Sequence, residues 1–218
     1  MVTSPHSLAS QAGVQVLQAG GSAVDAAIAA AAVLAVVYPH MTSVGGDAFW
    51  LIHDARTGAV HSLDAAGAAA EAGTLDWFRA RGLGEIPLRG IVPATLTVPG
   101  AVDGWCEAHA RHGKLPLADD LAAAVRYARD GFPITRRLSE WIERSAPVLA
   151  ADPPAARIFL AIDADRCAFG NHAVFQARRR HHDAAPGLDW RAFRLTGGTA
   201  VRAAGARSRC RPASRRRL

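Results

Sequence analysis

Gly20-Gly-Ser-Ala-Val-Asp25-Ala-Ala-Ile-Ala-Ala-Ala-Ala-Val-Leu-Ala-Val-Val37 is the stretch on which the fold turns. The glycine pair stops whatever helix precedes it, because glycine enters the left-handed conformation past a helix end at little cost. Ser22-Ala-Val-Asp25 then reads as a variant capping box, and the helix dipole favours the Asp25 carboxylate in the first turn. The helix that follows, Ala23 to about Val37, is apolar on every side except at Asp25. A surface helix would keep a polar face, so this one is expected to lie inside the protein with only its Asp25 end near solvent. Pro39 ends it.

Working outward, Ser7 is the expected N-cap of an earlier helix running to about Ala19, with Gln11, Gln15 and Gln18 on one narrow face. On the other side, Ser43-Val-Gly-Gly-Asp47 leads into Ala48-Phe-Trp-Leu-Ile-His-Asp54, a bulky β-prone segment. Ala55-Arg-Thr-Gly58 supplies a turn and Ala59-Val-His-Ser-Leu63 a second strand, which together signal a hairpin. Residues 65–73 are nearly all alanine and glycine and have no clear period. A short helix from Leu75 to Arg81 and a loop through Val98-Pro99-Gly100 follow.

Three more helices are expected. Val102, Trp105, Cys106 and His109 recur at helical spacing before Gly113. Leu117, Leu121, Ala124, Val125 and Ala128 form the stripe of the next, closed by Gly131. Leu138, Trp141 and Ile142 mark a shorter one ending before Pro147. Trp50, Trp105 and Trp141 sit in apolar patterns, so they read as packing residues.

The chain has 218 residues, half of them hydrophobic, enough for one domain with a sizeable core. The longest apolar run, Ala26 to Tyr38, is shorter than the ~20 residues a spanning helix needs, so no membrane partner is expected. The first residues have no basic stretch followed by an apolar segment, so a cytoplasmic location, or a mature enzyme without its leader, is expected. Cys106, Cys167 and Cys210 are widely spaced, which argues against a zinc or disulfide framework, and Cys106 reads as a buried thiol. His109 and His112 share a helix face without an acidic partner at ligand spacing, so no metal site and no cofactor are expected.

The net charge of +6 hides a sharp asymmetry. Residues 1–165 carry 12 Lys+Arg against 17 Asp+Glu, whereas residues 166–218 carry 13 Arg against only Asp183 and Asp189. The chain therefore divides into a patterned segment, 1–165, and an Arg-rich tail, 166–218, with no hydrophobic period. Arg, Ala, Gly and Pro dominate the tail, and these are the residues that GC-only codons encode. A frameshift near Asp165 or a disordered tail is the reading adopted. The alternative is a non-catalytic protein whose basic tail binds nucleic acid or an acidic partner, although such arms usually mix lysine and aromatics with arginine.

Several stretches together resemble the large-subunit segment of the γ-glutamyltransferases (γ-glutamyltranspeptidases, glutathione hydrolases), a family of N-terminal-nucleophile hydrolases. They are Met1-Val-Thr-Ser-Pro-His-Ser-Leu-Ala-Ser10, Ala19-Gly-Gly-Ser-Ala-Val-Asp-Ala-Ala27 and Pro39-His-Met-Thr-Ser-Val-Gly-Gly-Asp-Ala-Phe49. Thr97-Val-Pro-Gly-Ala-Val-Asp-Gly104, His112-Gly-Lys-Leu-Pro-Leu117 and Ala128-Arg-Asp-Gly-Phe132 follow in order. The resemblance spans roughly Met1 to Leu160. It implies an α+β fold, part of an αββα sandwich, mostly helical here with a β-hairpin. It also implies cleavage of a γ-glutamyl amide, such as that of glutathione, with transfer to water or an amine. The nucleophile implied is a threonine exposed by self-cleavage, whose own α-amine serves as base. That threonine belongs to the small subunit, so no catalytic residue is assigned here, the small-subunit half is the expected missing partner, and the chain alone is expected to be inactive. Thr199 of Thr196-Gly-Gly-Thr199 is followed by Ala-Val-Arg and does not match the family's nucleophile.

For substrate contact the expected residues are Gly45, Gly46, Asp47 and Arg89. Asp47 either lines the cleft or caps a turn. The resemblance implies an arginine shortly after the second strand, where a planar guanidinium would clamp the glutamyl α-carboxylate with two hydrogen bonds. Ala66 or Ala68 stands at that place. Either another acyl group is recognised, or Arg89 reaches in from the following loop, or the position has decayed.

Overall fold

The computed structural model describes residues 1–86, 97–160 and the two-residue strand at 174–175. Helix α1 (Ser7–Gln18) and helix α2 (Ala23–Val37) pack against each other, and α2 also packs on α5 (Leu117–Asp130) and α4 (Ala101–His112). A hairpin of β1 (Ala48–His53) and β2 (Val60–Ala65) leans on α4. Helix α3 (Leu75–Arg79) follows the hairpin in the chain. After α5 come β3 (Phe132–Pro133), α6 (Arg136–Ala150), α7 (Pro153–Phe159) and β4 (Val174–Phe175). The result is a mixed α+β fold with small antiparallel pairings, β1 with β2 and β3 with β4. No helix among the described residues is long and apolar enough to cross a membrane.

Helix α2 is the centre of the core, as its lack of a polar face requires. Ile28, Ala29, Val33 and Val37 are fully buried, and Val24, Ala26, Ala30 and Ala32 nearly so. The capping box forms: the Asp25 N–H donates to Ser22 Oγ at 3.1 Å and the Ser22 N–H to Asp25 Oδ2 at 2.7 Å. The expectation that the Asp25 end faces solvent is wrong, since Asp25 is fully buried and Ala23 and Ala27 are the exposed residues instead. The cause is the turn between α4 and α5, which lies over the carboxylate and donates the N–H groups of Lys114 and Leu115 to it.

Other boundaries shift for identifiable reasons. His6 caps α1 in place of Ser7, its Nδ1 accepting from the Leu8 N–H at 3.2 Å. Helix α6 runs through Pro147 to Ala150. The proline falls in the final turn, where one missing N–H is the main loss, and Leu138, Ile142 and Leu149 bury the same face on both sides of it. In α4 the buried residues are Ala101, Gly104, Trp105 and Ala108, while Val102 is exposed and Cys106 only half-buried. Gly104 sets that rotation, because a Cβ there would come within 2.6 Å of Ala65 Cβ and 3.4 Å of Trp50 Nε1 on the hairpin. In α5, Val125 is exposed and the buried position that the stripe left unassigned belongs to Asp120.

Along β1, Ala48, Trp50 and Ile52 turn toward the helices and are half-buried, whereas Phe49 and Leu51 face outward. Phe49 is 72% and Leu51 82% exposed, so the hairpin has an apolar outer face. The turn closes through Asp54, which accepts from the Arg56 N–H and the Thr57 hydroxyl, both at 2.9 Å.

Candidate functional site

The segment before β1 is held in place by backbone polarity. The Gly46 carbonyl accepts N–H bonds from Gly100 at 3.1 Å and Ala101 at 2.8 Å, so the start of α4 caps this turn. Asp47 Oδ1 accepts from the Gly67 N–H at 3.1 Å and the Thr97 hydroxyl at 3.4 Å. The Val98 N–H donates to the Ala68 carbonyl at 2.9 Å, and Ala69 bridges Thr97. Residues 46–47, 67–69 and 97–101 are thus laced together. Gly67 fits only as glycine, because a Cβ on it would land on the Val98 carbonyl oxygen.

Gly46 and Asp47 form one wall of a depression of about 300 Å³, completed by Pro39, His40, Met41, Thr42 and Ser43. Gly45 is exposed outside that wall, its N–H donating to Ser43 Oγ at 3.2 Å. Arg89 lies outside the described residues, as do Thr196, Thr199 and the tail apart from the 174–175 backbone. Of the four substrate-contact residues expected, the fold therefore brings two to one depression. Asp47 both lines it and fastens the 66–69 loop. Ala66 and Ala68 are exposed. Replacing Asp47 by alanine frees Gly67 and Thr97 and is expected to cost about 0.5–1.5 kcal/mol in urea unfolding, the range of one or two hydrogen bonds. An unchanged midpoint would show that the carboxylate does not fasten this loop.

Nothing in the sequence singles out His40, where Pro39 alone marks the helix end. Its two ring nitrogens are buried without a hydrogen-bond partner among the described residues. The ring packs 4.3 Å from Tyr38 and 5.5 Å from Trp141. Burial, reinforced by the charge of Arg137, holds its imidazole below the usual histidine range, so the neutral ring lines the depression.

A second constellation lies on the helical side. His109 Nε2 is 3.8 Å from Asp25 Oδ1 and 3.8 Å from Asp120 Oδ2, and both carboxylates are fully buried. The absence of an acidic partner for His109 is thus a misreading of the sequence: folding supplies two. Burial alone would raise the Asp25 carboxyl, but N–H donors from Ser22, Lys114 and Leu115 outweigh it and hold the group below the ordinary carboxylate range. Asp120 has no such donors. Burial, with the neighbouring Asp25 charge adding and His109 opposing, pushes it up to about 7.

Comparison with known proteins gives this architecture a place. It is similar to the crystal structure of Helicobacter pylori gamma-glutamyltranspeptidase, with a TM-score of 0.71 and 28% identity, covering 81% of this chain and 50% of that one. It is also similar to a cephalosporin acylase from Bacillus halodurans, with a TM-score of 0.69 and 34% identity, covering 88% of this chain and 35% of that one. The fold therefore resembles part of a gamma-glutamyltranspeptidase. The Gamma-glutamyltranspeptidase family model matches residues 9–177, and the chain belongs to that family. The matched stretch extends past Asp165, where the composition changes.

Among curated relatives, a glutathione hydrolase-like proenzyme of Bacillus subtilis is 47% identical over 159 residues, which cover 73% of this chain and 30% of that protein. The oxamate amidohydrolase proenzyme of Klebsiella pneumoniae is 46% identical over 140 residues, covering 62% of this chain and 26% of that protein. The chain thus spans less than a third of the length of these relatives.

Proposed function

We propose that this chain is the leading part of a proenzyme that cleaves γ-glutamyl amides and transfers the acyl group to water or an amine. The observation that carries the reading is the family match over residues 9–177. The laced Gly46–Asp47 turn supports it, since it gives the fold a fixed depression beside the hairpin. In this reading the depression receives the polar end of the substrate and the remainder of the proenzyme brings the threonine nucleophile. The exposed Phe49 and Leu51 are the face on which a second sheet would complete an αββα sandwich. The 218 residues alone do not carry out the reaction, because acyl transfer needs a nucleophile, a base and oxyanion donors at one point.

A second reading has its own support. Ala66 and Ala68 stand where an arginine clamp is expected, and one relative at 46% identity is named for a different amide, oxamate. A short acyl group needs no distant guanidinium, so a small amide is the alternative substrate class.

A chimera separates the two readings. Residues 1–165 are joined in frame to the downstream portion of the Bacillus subtilis relative, and self-cleavage is followed on a gel. The first reading expects a self-cleaved product that releases p-nitroaniline from γ-glutamyl-p-nitroanilide. A product that cleaves itself yet turns over only oxamate favours the second, and Ala66→Arg is then expected to recover γ-glutamyl turnover. A soluble chimera that never self-cleaves would falsify both.

A further inference from the structure

We propose that Asp25, His109 and Asp120 bind a divalent metal ion, zinc by their donor set, where α2 begins, α4 ends and α5 begins. This site is separate from the depression beside the hairpin and stands independently of the proposed activity.

The starting observation is Asp120. It is fully buried, no N–H or hydroxyl of the described residues reaches its oxygens, and the one hydrogen bond open to it is a proton shared with the Asp25 carboxylate. A carboxylate in that state is costly unless a proton or a cation meets it. The groups that face it are a second fully buried carboxylate, Asp25, and His109 Nε2 at 3.8 Å. One donor atom from each of the three residues lies within 4.8 Å of the others, so all three surround one point.

The donor atoms are unequal in a way that suits coordination. Asp25 Oδ2 is engaged by the N–H groups of Ser22 at 2.7 Å, Lys114 at 2.8 Å and Leu115 at 3.4 Å. Oδ1, the oxygen that faces His109, has only the Lys114 N–H at 3.2 Å. Backbone donors thus orient the carboxylate and leave one oxygen for an ion, the way outer-shell bonds position metal ligands. The Leu115 carbonyl lies 2.7 Å from His109 Nε2, a hydrogen bond that an ion on that nitrogen would replace. Without metal, Nε2–H donates to that carbonyl. With metal on Nε2, the neutral ring carries its proton on Nδ1.

Distance and charge both fit. Tetrahedral zinc, with bonds of about 2.0–2.2 Å, places neighbouring donor atoms roughly 3.3–3.5 Å apart. The 3.8 Å separations from His109 to the two carboxylates then need closing by a few tenths of an ångström, and the two carboxylate oxygens, which lie within 4.8 Å of each other, by up to about 1.5 Å. Two buried carboxylates and a neutral imidazole around a divalent cation sum to no net charge. Imidazole with carboxylate favours zinc over calcium or magnesium, which prefer all-oxygen shells. The His109 side chain, 22% exposed, gives the ion a way in.

The test uses the full 218-residue chain, stripped with a chelator and titrated with zinc chloride, read by bound zinc and by thermal unfolding followed by circular dichroism. About one equivalent is expected to bind tightly and to raise the melting temperature by mass action. Asp120→Leu removes one of two buried acids that repel each other, so its metal-free form is expected to fold and to melt higher than metal-free wild type. Its melting temperature is expected not to respond to zinc. Asp120→Asn, which keeps shape and loses charge, is expected to bind at least about tenfold more weakly. Zinc held by other histidines of the chain, such as His61, would bind equally in all three proteins. A zinc-induced rise of equal size in wild type and Asp120→Leu, or no rise in wild type, overturns the proposal.

Discussion

Ala29→Glu is expected to cost the fold roughly 3–5 kcal/mol, the range for an uncompensated buried charge. Ala27→Glu, two positions earlier on the same helix, is expected to stay within about 0.5 kcal/mol of wild type. The contrast follows from the placement of α2. Ala29 is fully buried in a cluster with Val16 of α1 and Ala26, whereas Ala27 points to solvent. A glutamate at position 29 has no cation to meet and no space to enter. At position 27 it reaches water and sits in the first half of the helix, where the dipole favours a negative charge. Urea unfolding of the two variants measures the difference. Equal stabilities would show that α2 does not lie between α1 and α5.

The second large effect is expected for Trp105→Ala, about 3–5 kcal/mol as for other large aromatic truncations in a core. Trp105 is 7% exposed and belongs to the main hydrophobic cluster, on the helix whose first residues hold the Gly46 carbonyl. Losing the indole loosens α4, and with it the turn that lines the depression. Trp105→Phe, which refills part of the volume, is expected to recover a good share of the loss. A truncation costing less than about 1 kcal/mol, the level of ordinary surface changes, would place Trp105 outside the core.

The features legible in the sequence were those set by local pattern. The buried helix α2 follows from a run without a polar face, and the hairpin from bulky β-prone segments around Ala55-Arg-Thr-Gly58. The family showed in motifs whose order survived along the chain. Misreadings arose where a contact joins residues far apart. Asp25 was read as a local cap, and its burial depends on Lys114, 89 positions later. His109 looked alone because Asp25 and Asp120 reach it from two other helices. The face of α4 was misplaced because Gly104, with no side chain to count in a hydrophobic period, decides how the helix meets the hairpin. Pro147 read as a helix stop because the local rule carries no information about the packing that holds the final turn.

The Gly45-Gly46-Asp47 motif falls at one turn beside the depression, and the structure divides its roles. Gly46 offers a carbonyl to α4, Asp47 fastens the following loop, and Gly45 stands aside. His40 was invisible because nothing in Pro39-His40 announces a ring buried between Tyr38 and Trp141.

The most direct test of the account is the activity of the 218-residue chain by itself. The purified protein, verified as helical by circular dichroism, is incubated with γ-glutamyl-p-nitroanilide and followed both by chromophore release and on a gel. The account predicts p-nitroaniline release no faster than in buffer and a single band that never splits. Sustained turnover that survives Thr196→Ala and Thr199→Ala would contradict it, because the chain would then hold a nucleophile of its own.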